Sequence, residues 1–277
     1  WISLGILNFQ PAEFAKLALT CFLASYFTRR YDEVRGKKFS AVKPFIVMGV
    51  LGVFLLAQPD LGSTVVLFVI TFCMLFIVGA NFWQFILLIG TGILLFIWLV
   101  LSASYRLKRF TGFLEPFKDP YGTGFQLTNS LMAFGRGEIS GEGLGNSIQK
   151  LDYLPEAHTD FIMAIIGEEF GFIGILVVVI LLGLLIFRAM KIGRESLMLE
   201  QRFRGFFALG ISFWIFFQGF VNLGMALGML PTKGLTFPLV SYGGSSIIIM
   251  SATVGILLRI DHENRLQRGG QARLRDD

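Results

Sequence analysis

The sequence predicts an all-α membrane protein, a polytopic bundle of transmembrane helices. Of its 277 residues, 54% are hydrophobic and only 16% are charged, and the mean hydropathy is +0.68. Soluble domains carry about 25% charged residues, so the composition excludes an ordinary soluble globule. The apolar residues come in long runs, and the basic residues cluster between these runs. Together, these observations predict several helices that cross a bilayer.

Seven apolar segments are candidates for membrane spans, because a bilayer core of about 30 Å needs roughly 20 helical residues. They are, approximately, residues 9–27, 44–57, 63–80, 82–101, 161–187, 206–227 and 239–258. The second segment is short and is closed by Pro59, and the seventh opens with small residues. The prediction is one integral membrane domain over residues 1–277.

Lysine and arginine residues concentrate around residues 29–38, around 188–204 and in the tail 260–277. With seven spans, these regions lie on one side, which the positive-inside rule makes cytoplasmic, together with the C-terminus. Residues 102–160 then form one long periplasmic loop, and loops of this length are usually functional. The net charge of +5 alternates with apolar runs, so it indicates topology and not a nucleic-acid surface.

The end of the long loop concentrates polar side chains directly before a predicted span. Residues 153–161 read Tyr-Leu-Pro-Glu-Ala-His-Thr-Asp-Phe, with Glu156, His158 and Asp160 close together. A helix cap is one interpretation, with Thr159 or Asp160 at the N-cap, where these residue types are favoured. A catalytic carboxylate is the other interpretation, and the two do not exclude each other.

Glu168 and Glu169 follow about two turns after Asp160. On a continuous helix they lie about 12–14 Å further along the axis. Glu168 is then about 80° around the helix from Asp160, and Glu169 about 180°. Glu168 is therefore predicted to share a cavity with Asp160, and a solvated interfacial pair is the alternative.

Charged residues also lie in three other places near the bilayer. Glu13 and Lys16 are three residues apart, so they share a helix face and can pair, either as a functional site or as bundle packing. Lys233 lies in a turn between two prolines, where it either meets a lipid pyrophosphate or is simply solvated. Arg136 lies in the glycine-rich stretch 135–145, which lacks the context of a phosphate-binding loop and indicates a flexible one.

Five segments together resemble the signature of the SEDS family (FtsW/RodA/SpoVE) in order and spacing. They are residues 10–16, 58–62, 154–161, 167–169 and 231–245. The Glu-Ala before His-Thr-Asp, with residues 131–137 upstream, resembles the FtsW branch. The match covers essentially the whole chain. Because the family has ten spans, the resemblance implies a fragment that lacks about three spans before Trp1.

The resemblance implies a glycosyltransferase that polymerises lipid II into glycan strands during cell division. It implies inverting transfer, with undecaprenyl pyrophosphate as the leaving group and Asp160 as the essential catalytic residue. Substrate contacts are predicted for Glu13, Lys16, Arg136, His158, Glu168 and Lys233. The one candidate cofactor is a divalent cation, Mg²⁺ or Mn²⁺, near Asp160.

The implied partners are lipid II, a class B penicillin-binding protein and other division membrane proteins, and no nucleic acid. The implied location is the inner membrane at the septum. Two other functions suit the same sequence. A lipid II flippase would also use intramembrane charges such as Glu13 and Lys16, and a non-catalytic scaffold would only recruit division proteins.

Overall fold

A computed structural model describes residues 2–3, 8–36, 42–58, 60–101, 112–231 and 234–276 of the chain. These residues are mostly helical, after a short antiparallel hairpin of β1 (Ile2–Ser3) and β2 (Asn8–Phe9). The helices are α1 (Pro11–Arg29), α2 (Tyr31–Gly36), α3 (Val42–Ala57), α4 (Leu61–Val78), α5 (Phe82–Leu101), α6 (Phe125–Gly137), α7 (Ile162–Met198), α8 (Arg202–Ala226) and α9 (Gly244–Asp276), with a π-helix at Gln149–Tyr153.

A helix covers most of each of the seven predicted spans, which confirms the fold class. By length and composition, α4, α7, α8 and the part of α9 up to Gly269 are able to cross a membrane. Helix α3 (Val42–Ala57) and the part Phe82–Leu95 of α5 are also apolar. Pro59, Lys37 and Lys38 lie outside the described residues, as do residues 102–111 of the predicted outer loop.

Two span boundaries differ from the prediction. The last helix begins at Gly244 and not near Leu239, because Leu239 has a left-handed φ of 63° in a turn. Helix α7 runs to Met198, well beyond the predicted end at Phe187. The basic tail continues α9 as far as Asp276, so residues 260–276 are helical.

The chain forms two compact units. The first contains residues 1–88, 184–216 and 244–277. In it, α1 packs on α3 and α4, and Gln10 N–H donates to Ser245 Oγ at 2.9 Å. At the start of α4, the Asp60 carboxylate accepts from Ser63 N–H at 2.9 Å, the usual form of an N-cap.

Ion pairs hold α9 to the other helices of the first unit. Arg188 donates to both carboxylate oxygens of Asp261 at 3.0 Å, and Arg268 pairs with Glu195 at 3.2 Å. Asn264, which is buried, donates to the Ser196 hydroxyl at 2.8 Å. Polar contacts of this kind fix the register of the helices that they join.

The second unit contains residues 89–183 and 217–243. In it, α6 packs under the start of α7 through a small core of Ala133, Leu154, Ala157, Phe161, Ala164, Ile165 and Ala226, with Phe134 against it. Two polar side chains of α6 complete the packing. Asn129 Nδ2 donates to Tyr153 O at 2.9 Å, and Ser130 Oγ donates to Ala226 O at 2.8 Å. Asn129 therefore links α6 to the residues just before the predicted catalytic segment, and Ser130 links α6 to α8.

Candidate active site

The segment before α7 is a tight turn organised by Glu156. This residue has a left-handed φ of 57°, and its carbonyl accepts from the N–H groups of Asp160 (3.1 Å) and Phe161 (3.2 Å). The Thr159 hydroxyl donates to the Glu156 carboxylate at 2.6 Å. This turn places Asp160 two residues before the start of α7, half-buried at the end of the helix.

The three carbonyl groups of His158, Thr159 and Asp160 all accept hydrogen bonds. Tyr242 N–H donates to His158 O at 2.9 Å, Ser241 Oγ donates to Thr159 O at 2.5 Å, and Asn222 Nδ2 donates to Asp160 O at 2.8 Å. The backbone of the motif is thus held from one side. The side chain of His158 is exposed.

Gly234 lies against the Asp160 side chain. A Cβ atom on Gly234 would be 3.3 Å from Asp160 Oδ2. This is close contact for a carbon, so the absence of a side chain at residue 234 leaves room for the carboxylate. Lys233, the neighbouring residue that was predicted to contact pyrophosphate, lies outside the described residues.

Helix α7 is broken at Gly171, which has φ 64° and ψ −163°. The backbone of residues 138–143 pairs with the groups that the break releases. Glu142 and Gly143 N–H donate to Glu168 O and Glu169 O, each at 3.0 Å, and Phe172 N–H donates to Glu138 O at 2.9 Å. Unpaired backbone groups in a membrane helix are costly, so this loop allows the break.

The prediction that Glu168 shares a cavity with Asp160 assumed a helix that already includes residue 160, but α7 begins at Ile162, and a shared cavity stays a prediction. Glu168 is fully buried and accepts four hydrogen bonds. The donors are Ser147 Oγ (2.5 Å), Ile148 N (3.1 Å), Gln149 N (3.2 Å) and Arg136 Nη1 (3.2 Å). The Glu168 carboxylate therefore holds the glycine-rich loop and the π-helix in place, which is a structural task.

Arg136 and Lys150 are both paired with carboxylates. Arg136 contacts Glu168 at 3.2 Å and Glu142 at 3.7 Å, and Lys150 contacts Glu169 at 2.5 Å. The positive charge of Arg136 is thus already compensated by two acidic residues. A contact between Arg136 and pyrophosphate stays a prediction, and it would require exchange of these partners. The glycine-rich stretch, predicted to be a flexible loop, is fixed to α7 through its backbone.

The ion pair of Glu13 and Lys16 in α1 is confirmed. Lys16 Nζ lies 2.7 Å from Glu13 Oε1, and the two side chains are 0% and 3% exposed. Lys16 Nζ also lies 5.7 Å from the centre of the Trp214 ring. Glu13 Oε2 is buried without a hydrogen-bond partner among the described residues. A role of this pair in substrate binding stays a prediction.

Asn222 and Ser241 are site residues that sequence reasoning did not identify. Both are buried polar residues, Asn222 within α8 and Ser241 just before α9. Asn222 did carry a signal, because a strongly polar side chain within an apolar span usually faces a polar interior. Ser241 carried a weaker one, since small residues near a span are ordinary packing residues.

The fold and the site together define a multi-pass membrane protein that presents an acidic residue where a surface turn enters a membrane helix. A family model described as "Cell cycle protein", for FtsW, RodA and SpoVE, matches residues 1–266. The chain therefore belongs to this family.

Relatives and solved structures agree with this assignment. The chain is 87% identical to "Probable peptidoglycan glycosyltransferase FtsW" of Haemophilus influenzae and 82% identical to the protein of the same name in Pasteurella multocida. Each match covers 100% of this chain and 70% of the relative. The chain is also similar to a chain in a solved peptidoglycan synthase complex, with a TM-score of 0.76 and 29% identity over 95% of this chain and 73% of that one.

Proposed function

We propose that this chain is a peptidoglycan glycosyltransferase that polymerises lipid II during cell division, with Asp160 as its general base. The high identity along the whole chain to relatives of that name is the observation that supports the activity. The placement of Asp160 supports its role, because the turn sets it half-buried at the head of a membrane helix. A lipid-linked sugar can reach such a position from the bilayer.

The proposed reaction is an inverting displacement at C1 of a lipid-linked MurNAc. The oxygen of the GlcNAc 4-hydroxyl of the acceptor forms the new bond to C1. The bond from C1 to the phosphate oxygen breaks, and its electron pair leaves with undecaprenyl pyrophosphate. Asp160 takes the hydroxyl proton. An alcohol is a weak nucleophile near neutral pH, so a positioned base contributes about 10²–10⁴-fold to the rate.

The leaving diphosphate needs positive charge, and a divalent cation near Asp160 is one source that we propose. The described residues contain no group of three or more His, Cys, Asp or Glu side chains that would hold a metal. Mg²⁺, however, is commonly held by one or two carboxylates together with substrate phosphates and water. Asp160 fits such a minimal role, in which the cation would neutralise the diphosphate. Lys233 is the other proposed source of charge.

We also propose a location and partners. The Lys and Arg distribution supports an inner-membrane protein with a cytoplasmic C-terminus and a periplasmic segment 102–160. The likeness to a chain of a peptidoglycan synthase complex supports assembly with a class B penicillin-binding protein. The septum and further division proteins follow from the family branch that the motifs resemble.

The test is the substitution Asp160→Asn, with Asp60→Asn as the matched control. Both aspartates are half-buried, and Asp60 is an N-cap, a position where Asn serves about as well as Asp. We expect Asp60→Asn protein to make glycan chains from lipid II at the wild-type rate. We expect Asp160→Asn to lower kcat by about 10²–10⁴-fold, since an amide does not accept the hydroxyl proton.

The same purified proteins distinguish the other functions. Transbilayer movement of lipid II without polymer would support a flippase, and neither activity would support a scaffold. Polymer made by the Asp160→Asn protein at a rate close to that of Asp60→Asn would exclude Asp160 as the base.

A further inference from the structure

Three consecutive carbonyl groups in the His-Thr-Asp motif are held by donors from outside the motif. The donors come from Asn222 in α8 and from Ser241 and Tyr242 directly before α9. Tyr242 uses its backbone N–H, so its side chain has no part in this contact. Asn222 and Ser241 use their side chains, so substitution can remove these two contacts selectively.

Asn222 joins the backbone of Asp160 to the backbone of Leu235. Its Nδ2 group donates to Asp160 O at 2.8 Å and to Leu235 O at 2.5 Å. Both protons of the amide are used, which fixes its orientation. Asn222 is 0% exposed, so water does not replace these bonds. Leu235 follows Gly234, whose missing Cβ leaves space beside Asp160 Oδ2.

Ser241 makes a second connection with one hydroxyl group. Its Oγ accepts from Phe237 N–H at 2.7 Å and donates to Thr159 O at 2.5 Å. Ser241 is 1% exposed. The hydroxyl thus ties the residue before Asp160 to the same 234–241 segment that Asn222 holds. The two side chains thus bind the adjacent carbonyl groups of Thr159 and Asp160 in the turn.

We propose that Asn222 and Ser241 are positioning residues for Asp160, which fix its carboxylate against Gly234 for proton transfer. This inference rests on the proposed role of Asp160 as the base. A displacement of about 1 Å in a catalytic group can lower the rate about 10²-fold. Loss of either side chain releases the Asp160 backbone, and substrate binding elsewhere stays intact. The effect therefore falls on kcat and not on KM.

The experiment measures kcat and KM for lipid II polymerisation by Asn222→Ala, Ser241→Ala and Ser241→Thr. The matched control is Ser130→Ala, because Ser130 is also a buried serine that donates to a carbonyl, but that carbonyl is Ala226 O (2.8 Å) and not one in residues 158–160. We expect Asn222→Ala and Ser241→Ala to lower kcat about 10²-fold with KM unchanged. We expect Ser241→Thr, which keeps the hydroxyl, and Ser130→Ala to keep a kcat close to wild type.

Gly234→Ala serves as a variant that removes no hydrogen bond. The φ angle of Gly234 is not in the left-handed region, so the backbone tolerates alanine there. The added Cβ would lie 3.3 Å from Asp160 Oδ2 and displace the carboxylate. We expect a lower kcat with normal thermal stability. If Asn222→Ala fails to fold, the kcat values of Ser241→Ala, Ser241→Thr and Gly234→Ala still test the positioning role.

The proposal is overturned if Asn222→Ala and Ser241→Ala keep the kcat of Ser130→Ala, or if the loss appears in KM alone. Asp160→Asn in the same series separates this failure from a failure of the proposed function. If the Asp160→Asn protein is active, Asp160 is not the base, and the proposed function of this residue fails. If Asp160→Asn is inactive while Asn222→Ala and Ser241→Ala are active, only the positioning role of Asn222 and Ser241 is refuted.

Discussion

Asp160 and Glu168 are acidic residues eight positions apart in the same unit, and the structure uses them differently. The Glu168 carboxylate is fully buried and receives four hydrogen bonds, which come from Arg136 and residues 147–149. At Asp160, the backbone carbonyl accepts from Asn222, and the carboxylate is half-buried beside Gly234. Acidic residues close in sequence near a membrane surface thus serve two purposes. The Glu168 carboxylate holds a loop, and the Asp160 carboxylate is the one that we propose for the chemistry.

The largest effect on folding is expected for Glu168→Ala. The substitution leaves Arg136 without its buried partner and three donors of residues 147–149 without an acceptor. Each buried donor that loses its acceptor costs about 1–3 kcal/mol, and Arg136, which is 37% exposed, keeps Glu142 as a partner. We expect the amount of folded protein and its thermal stability to fall sharply. Glu142→Ala is the control, since that carboxylate is exposed and lies 3.7 Å from Arg136. A stable Glu168→Ala protein would contradict the structural role of Glu168.

A similar loss of stability is expected for Lys16→Ala, which leaves Glu13 as a buried, unpaired charge at a cost of about 3–5 kcal/mol. The double variant Glu13→Gln/Lys16→Met removes both charges, so we expect thermal stability to recover. We do not expect polymerisation to recover with it, because Glu13 Oε2 has no hydrogen-bond partner among the described residues and purely structural pairs usually satisfy both oxygens. A wild-type kcat in the double variant would show that Glu13 and Lys16 serve only helix packing and have no role in substrate binding.

A smaller effect is expected at the break in α7. Gly171 has φ 64° and ψ −163°, a region that is essentially restricted to glycine, and a Cβ would collide with the backbone of residues 139–141. We expect Gly171→Ala to cost at least about 1–3 kcal/mol in the free energy of unfolding. The control Gly183→Ala lies in the same helix with no atom within 4 Å of its added Cβ, and we expect no loss there. If Gly171→Ala and Gly183→Ala were equally stable, α7 would not adopt the non-helical conformation at Gly171.

The parts of the fold that the sequence predicted are those that depend on local pattern. Apolar runs predicted the helices, and the three-residue spacing of Glu13 and Lys16 predicted their pairing. The break at Gly171 was missed because its partners lie in residues 138–143, about 30 positions earlier in the chain. A single sequence does not show which loop will pair with a helix backbone.

At the site, the sequence predicted Asp160 as the catalytic residue, but it did not predict the residues that hold its backbone. The contacts of Asn222 and Ser241 span 62 and 82 residues, and they go to carbonyl groups, which every residue has. No side-chain pattern marks such a contact. The polarity of Asn222 within a span was the one local sign, and it indicates a polar environment without naming the partner.

The central claim is that Asp160 carries the chemistry and Glu168 the structure. The most direct test measures polymer formation from lipid II per folded molecule, with thermal stability, for Asp160→Asn and Glu168→Gln side by side. The account predicts that Asp160→Asn is as stable as wild type and polymerises about 10²–10⁴-fold more slowly. It predicts that Glu168→Gln is less stable but polymerises near the wild-type rate per folded molecule. The reverse result, an active Asp160→Asn protein and a stable but inactive Glu168→Gln protein, would contradict it.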